Sequence, residues 1–339
     1  MPTPTVFATW APAPEHRYGD HPEGPHRLRG LQHLPRQDDG TVWLPADPAP
    51  VEALARVHDP RHIAYIEAIA RQGPAIIDYA PTYVTPTSYD DARRAVGGTL
   101  AVLDAVLRTP GSRGFAWVRP PGHHATRTQA MGFCLFNHVA VAAAHALAQG
   151  FEPVLIVDFD AHHGNGTQAI WRAEPRVAYF STHQEGIYPG TGDFEDEPQA
   201  RGRIVNVPLP AHTGDRGYAR VIEQVLLPWA RALAPAVVLV SAGFDAHWRD
   251  PLTQLGLSAQ GFAHWAQALV ALADETAQGR LAFVLEGGYD PQAVAESGLA
   301  VWEVLHGRAA PAGALGPAPY PEPEVADRVA YARRLHGIG

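Results

Sequence analysis

Short runs of apolar residues alternate along this chain with longer stretches whose apolar residues recur every three or four positions. Runs of the first kind predict strands over residues 5–9, 42–44, 115–118, 154–157, 177–181, 204–209, 236–241 and 281–285. Several are apolar throughout rather than alternating, as befits strands covered on both faces of a parallel sheet. The second kind predicts helices over 51–57 and 61–70, broken at Asp59-Pro60, and over 137–148, 167–172, 218–233 and 291–305. A long helix opens at Thr87 or Ser88, carries Asp90 and Asp91 in its first turn and stops before Pro110-Gly111. Its apolar face is Ala92, Ala95, Val96, Leu100, Leu103 and Leu107. Ser258 caps a further helix that runs to about residue 277. Residues 81–86 and 183–203 show no period and are read as loops. Alternating strands and helices predict an α/β fold in three layers, a mainly parallel eight-stranded sheet with helices on both faces. Residues 1–308 form one domain on this reading. Residues 309–339 are a Pro/Gly-rich linker followed by a short helix over 325–335.

The unusual polar groups fall just after the predicted strands, the edge at which open α/β sheets bind ligands. The densest stretch is Val154-Leu-Ile-Val-Asp158-Phe-Asp160-Ala-His162-His163-Gly-Asn165. Asp158, Asp160 and His162 are spaced by two, so an extended backbone puts them on one side. Asp160 and His162 can share a divalent metal, and Asp245, alone after a buried strand, is the best third ligand. Three protein ligands leave a coordination position open. The donor set suits zinc, iron(II) or manganese(II). His123-His124 follows the stiff Pro120-Pro121-Gly122 turn. Asp158 and Asn165 are placed to bond the far nitrogens of that pair, and a charged partner holds a proton on its histidine better than a neutral one. The pair therefore divides its roles, with His124 the general base and acid and His123 its electrostatic partner. Tyr289, after Gly287-Gly288, can stabilise an oxyanion, although tyrosines in such turns also serve packing alone. Phe133 and Tyr188 can wall an apolar channel, although aromatic residues more often belong to the core.

Composition removes alternatives. All 26 basic residues are Arg, so lysine Schiff-base and phosphate-loop chemistry are excluded. A formal charge of −9 argues against sequence-independent nucleic-acid binding. The single cysteine, Cys134, cannot form an internal disulfide and points to a reducing compartment. Residues 1–10 lack a basic-then-apolar signal pattern, and no apolar run approaches the roughly 18–20 residues of a membrane span. The expectation is a cytoplasmic protein without membrane or nucleic-acid partners.

Taken together, Arg119-Pro-Pro-Gly-His-His-Ala125, Gly132-Phe-Cys-Leu-Phe-Asn-His138, Val157-Asp-Phe-Asp-Ala-His-His-Gly-Asn-Gly-Thr-Gln168, Tyr188-Pro-Gly-Thr-Gly192, Asn206-Val-Pro-Leu-Pro210, Ser241-Ala-Gly-Phe-Asp245 and Glu286-Gly-Gly-Tyr289 resemble the zinc-dependent histone deacetylase family. The class II branch and its bacterial amidohydrolase relatives are the nearest fit, over residues 15 to 305. The resemblance implies an arginase-like eight-stranded sheet and zinc on Asp160, His162 and Asp245, with iron(II) as the alternative metal in the cell. It implies the histidine pair with Asp158 and Asn165 as partners, Tyr289 polarising the amide carbonyl, and a channel of Gly132, Phe133, Tyr188, Leu252 and Gly288. It also implies a structural potassium ion held by the Asp158 side chain, the Asp160 and His162 carbonyls and Ser181, and a buried Arg27 near the channel foot. Two departures stand out. His212 replaces a glycine frequent in relatives after Pro208-Leu-Pro210. In the segment Trp248-Arg-Asp-Pro-Leu252, Leu252 and a cationic Arg249 favour an acyl-lysine over a polyamine. The acidic run 193–197 suits a basic peptide but is more simply a solvated loop.

The expected function is hydrolysis of acetyl groups from lysine ε-amines or similar amines. Alternatives are an acetylpolyamine amidohydrolase and, remotely, a non-catalytic acyl-lysine binding module. A two-manganese ureohydrolase would share the fold but wants a second carboxylate near Asp245, which Gly243-Phe-Asp245-Ala-His247 lacks. The partner is an acetylated lysine peptide or acetylated amine, and a homo-oligomer is left open.

Overall fold

A computed structural model describes residues 4–37 and 39–339, so the first three residues of the 1–10 segment lie outside the described residues. The strands are β1 (Val6–Ala11), β2 (Val42–Leu44), β3 (Ala75–Ile76), β4 (Tyr83–Val84), β5 (Arg113–Val118), β6 (Val154–Asp158), β7 (Val177–Gln184), β8 (Ile204–Leu209), β9 (Val237–Ala242) and β10 (Leu281–Leu285). Eight of them form one sheet in the order β2-β1-β5-β10-β9-β6-β7-β8, and every neighbouring pair is parallel. This is the mainly parallel eight-stranded architecture expected from the sequence. The antiparallel hairpin of β3 and β4 falls partly in the expected 81–86 loop. Its strands have two residues each, too few to show a period.

β6 explains the layering. Val154 and Ile156 face one layer, packing with Val139 and Val141 of the helix His138–Ala148 and Val96 and Leu103 of the helix Ser88–Arg108. Leu155, Val157 and Phe159 face the other, with Phe262, Trp265 and Leu269 of the helix Ala259–Thr276 and Trp302 of the helix Pro291–Leu305. All five side chains are fully buried. The register sets Asp158 beside Ser181 on β7 and Ser241 on β9.

Two helices differ from expectation. The helix predicted over 218–233 is split into Asp215–Val221, a π-helical turn Ile222–Leu226 and Leu227–Leu233. Pro228 has no N–H to give to the preceding turn and crowds its carbonyl, a common cause of such a bulge. Thr87 precedes the Ser88 helix without a side-chain cap bond. The Ser88 hydroxyl instead accepts the Thr85 N–H at 2.6 Å.

The loop after β5 is tied down by buried polar groups. Asn137 caps its helix by accepting the Ala140 N–H at 2.9 Å and donates to Ala125 O at 3.1 Å and Thr167 Oγ1 at 3.0 Å. His58 Nε2 accepts the Asn137 N–H at 2.9 Å while Nδ1 donates to Thr126 O at 2.9 Å, which fixes the neutral tautomer. Burial, then the nearby His62, lowers the His58 pKa to about 3. Burial, then the charge of His123, lowers His138 to about 3.

Two outcomes follow from this packing. Phe159→Ala leaves a hole among Phe244, Phe262, Trp265 and Phe283 and should cost about 3–5 kcal/mol in urea unfolding. His58 and His138 stay neutral when folded but take a proton in the unfolded chain below about pH 6.5, so stability falls as pH drops from there towards 3. Each should contribute a loss on the order of 2 kcal/mol by pH 5. Urea midpoints at pH 7 and pH 5 measure this, and the difference should shrink in His138→Leu.

Candidate active site

The loops after β5, β10, β9 and β6 carry the polar groups, and these strands are four consecutive neighbours in the sheet. Continuous apolar runs bury the strands, and each chain then leaves the sheet with a charged residue that the same layers keep from water.

Asp160, His162 and Asp245 bring one ligand atom each to within 4.8 Å of one another. His162 Nδ1 lies 3.1 Å from Asp160 Oδ1 and 3.1 Å from Asp245 Oδ2. Both carboxylates are fully buried. Burial opposes a charge on His162, but the bonds from Asp160 and Asp245 outweigh it and push its pKa up to about 10. Burial, followed by the charge of Asp160, raises Asp245 to about 6. Two buried carboxylates thus draw a positive charge to the point between them. Two hard oxygens and an imidazole nitrogen fit a divalent transition metal there. Space beside the carboxylates is tight. A Cβ on Gly243 would overlap the Asp160 carboxylate, and one on Gly287 would overlap that of Asp245.

The rings of His123 and His124 lie 4.0 Å apart. His123 Nδ1 bonds Asp158 Oδ2 at 3.0 Å, and its Nε2 is 3.8 Å from Asp160 Oδ1. Burial lowers the pKa of His123, but the charges of Asp160 and Asp158 overcome it, and the net shift is well upward. His124 moves the other way, well below its ordinary value, through burial and then the charges of His123 and His162. Its Nδ1 bonds Asn165 Oδ1 at 2.8 Å. Asn165 Nδ2 lies 3.5 Å from Met131 Sδ, which assigns the amide oxygen to the histidine. Neutral His124 therefore carries its proton on Nδ1 and leaves the Nε2 lone pair free. Glu286 stiffens the turn that bears the pair, accepting the Gly122 N–H at 2.6 Å and the His123 N–H at 3.1 Å.

A cavity of about 250 Å³ opens onto this cluster and is lined by Ala80, His124, Gly132, Phe133, His162, Tyr188, Leu252 and Tyr289. Phe133 meets the Tyr289 ring edge-on at 5.8 Å, and Tyr188 meets the His124 ring edge-on at 5.0 Å. Burial raises the Tyr289 pKa well above the ordinary phenol value, partly offset by Arg27, so its hydroxyl stays a donor. The Arg27 guanidinium sits 4.8 Å from the centre of that ring. It donates to Gly288 O and Glu286 O, and to Glu23 Oε1 at 3.1 Å. Glu23 is itself clasped by Arg119 at 2.6 and 2.7 Å.

Gly132, Phe133, Tyr188 and Leu252 thus line the cavity as expected, whereas Gly288 does not. Gly288 is buried at φ +112, where a Cβ would press on Val294 and Phe244, and its carbonyl accepts from Arg27. Ser181 lies beside Asp158, with its hydroxyl 2.9 Å from His183 Nδ1. Arg249 is not a free cation at the mouth, since its guanidinium pairs with Asp290 at 3.2 Å. The repulsion of polyamines expected from it is therefore largely cancelled. His212 adopts φ +68, a left-handed backbone that glycine adopts more readily than histidine. Sequence reasoning missed Ala80, Glu23, Asp250 and the bonding role of Glu286. Glu286 carried the same signal as Asp158, a charge straight after an apolar strand. Asp250 sits in an irregular loop with no such signal.

The sequence matches the histone deacetylase domain over residues 21–305. It is 39% identical over 276 residues to a probable deacetylase of Archaeoglobus fulgidus, covering 79% of this chain and 76% of that one. Identity to the histone deacetylase-like amidohydrolase of Pseudomonas aeruginosa is 37% over 295 residues, covering 86% and 77%. It is also 37% over 306 residues to the polyamine deacetylase HDAC10 of Homo sapiens, covering 85% of this chain but 45% of the human protein. The crystal structure of the HDA15 HD domain superposes with a TM-score of 0.86 at 32% identity, covering 98% of this chain and 95% of that one. The chain belongs to the histone deacetylase family.

Proposed function

We propose that this chain is a zinc-dependent amide hydrolase that removes acetyl groups from lysine ε-amines or similar N-acetylated amines. The observation that carries the reading is the pairing of His123 with Asp158 and of His124 with Asn165 beside the Asp160, His162 and Asp245 cluster, at the foot of an apolar cavity. A divalent cation, which Asp160, His162 and Asp245 would hold, would supply the Lewis acidity for activating water and an amide carbonyl.

The chain's own residues do the rest. Phe133, Tyr188 and Leu252 hold the apolar stem of the substrate and exclude water around it. Tyr289 donates a hydrogen bond from its hydroxyl to the carbonyl oxygen as negative charge grows there, and keeps its proton. His124 Nε2 takes the proton of the attacking water. Protonated His123, held by Asp158, keeps His124 a weak base that readily gives that proton on to the leaving amine. The products are acetate and a free amine. Asp158, Ser181 and the carbonyls of Asp160 and His162 are the proposed potassium seat, and the single buried thiol of Cys134 suits a cytoplasmic setting.

An acetylpolyamine substrate is the second reading, favoured by the Arg249–Asp290 pair, which leaves no unpaired arginine beside Leu252. Turnover of an acetyl-lysine peptide should be compared with that of N-acetylputrescine and N8-acetylspermidine. Tyr289→Phe should lower kcat on the preferred substrate on the order of 10²-fold, and a chelator should abolish turnover until zinc is restored. A Tyr289→Phe enzyme as fast as the parent would sink the proposed mechanism. Gly243→Ala forces the Asp160 carboxylate aside, so the purified variant should hold far less than the parent's metal by elemental analysis. Equal metal content would remove Asp160 from the proposed ligand set.

A further inference from the structure

Residues 309–325 carry no helix or strand, and they lie beyond residue 305, where the family match stops. They are nonetheless bonded to the body at spaced points. Gln260 donates to Pro311 O at 2.6 Å, and the Leu315 N–H donates to Glu296 at 3.0 Å. Glu322 accepts the backbone N–H of Gly217 at 2.9 Å.

Two of the attachments reach the loop of residues 246–257. Trp248 Nε1 donates to Gly316 O at 3.0 Å, and the Tyr320 hydroxyl donates to Leu255 O at 2.9 Å. The Tyr320 ring also packs edge-on against His212 at 4.4 Å, and the His212 N–H donates to Gln254 O at 2.6 Å. The same loop carries Leu252 of the cavity wall. It also carries Asp250, a buried carboxylate whose two oxygens divide their work. Oδ1 accepts the Leu252 N–H at 2.9 Å and Oδ2 accepts the Tyr289 N–H at 2.7 Å. One side chain thereby fixes both a wall of the cavity and the backbone of the tyrosine at its foot.

We propose that residues 309–325 are a positioning strap for the active site: through Trp248 and Tyr320 they hold the loop 246–257, whose Asp250 sets Leu252 and Tyr289. Trp248, Tyr320 and Asp250 are positioning residues, since they act through Leu252 and Tyr289. The inference rests on the deacetylase reading for its effect on rate, but its effect on loop order does not need that reading.

The test uses the full chain. Trp248→Phe and Tyr320→Phe each remove one bond to or from the strap and keep an aromatic ring. Arg328→Ala, in the C-terminal helix, breaks bonds to Pro208 O and Glu185 instead and serves as the control for docking of the tail as such. Hydrogen exchange read over residues 246–257 and 286–290 should quicken on the order of tenfold in the Trp248→Phe/Tyr320→Phe double variant and stay at the parent rate in Arg328→Ala. On the preferred acetylated substrate, kcat should fall on the order of tenfold with a smaller rise in KM, because Tyr289 is displaced and Leu252 loosened while Phe133 and Tyr188 still hold the stem. Parent-like exchange and kcat in the double variant would overturn the strap. So would an equal loss in Arg328→Ala. If the parent hydrolyses none of the acetylated amines, the deacetylase reading fails, and the exchange rates still decide the strap.

Discussion

Four carboxylates are buried within one sheet edge: Asp158, Asp160, Asp245 and Glu286. Charge in such a place is costly unless it is matched. Everything nearby can be read as part of that matching. His123 is cationic between Asp158 and Asp160, His162 sits between Asp160 and Asp245, and Glu286 is bonded by two backbone N–H groups and by Ser241. Burial and the positive charge of His123 in turn keep its neighbour His124 neutral. A base and an electrostatic partner thus arise from two adjacent residues of one type, through surroundings alone.

A second buried charge cluster supports the tyrosine. Glu23 has no access to water and is met by Arg27 and Arg119. Burial works against its ionisation, yet Arg119 and His16 hold it well below the usual carboxylate range. Arg27 spends its remaining donors on the carbonyls of Gly288 and Glu286, so the fork of one arginine shapes the backbone on which Tyr289 stands. Lysine, with a single charged tip, could not meet these acceptors at once.

Much of this was legible in the sequence. The eight main strands announce themselves because continuous apolar runs have few other uses at that length, and the histidines and carboxylates because they break those runs abruptly. The unequal histidines followed from Asp158 and Asn165 being charged and neutral. What stayed hidden depends on distant residues meeting. The pairing of Arg249 with Asp290, and of Asp250 with Tyr289, joins residues about forty apart in the chain, with a helix and β10 between them. Gly288 was misplaced because adjacency to Tyr289 in the chain says nothing of which side of the turn faces the cavity. The hairpin of β3 and β4 was missed because two-residue strands leave no pattern.

The sheet order has a consequence for biosynthesis. β10 is the last strand to be made, yet it lies in the middle of the sheet between β5 and β9. Until it has emerged from the ribosome, β5 and β9 each present an unpaired edge, the kind of surface on which nascent chains associate wrongly. Only residues 281–285 join the half-sheet β2-β1-β5 to the half-sheet β9-β6-β7-β8. The same event delivers Glu286 and Tyr289 to the edge where the other polar groups wait. Completion of the fold and completion of the site are therefore one late step in the life of the chain, and a partly synthesised molecule is an incomplete sheet rather than a slow enzyme.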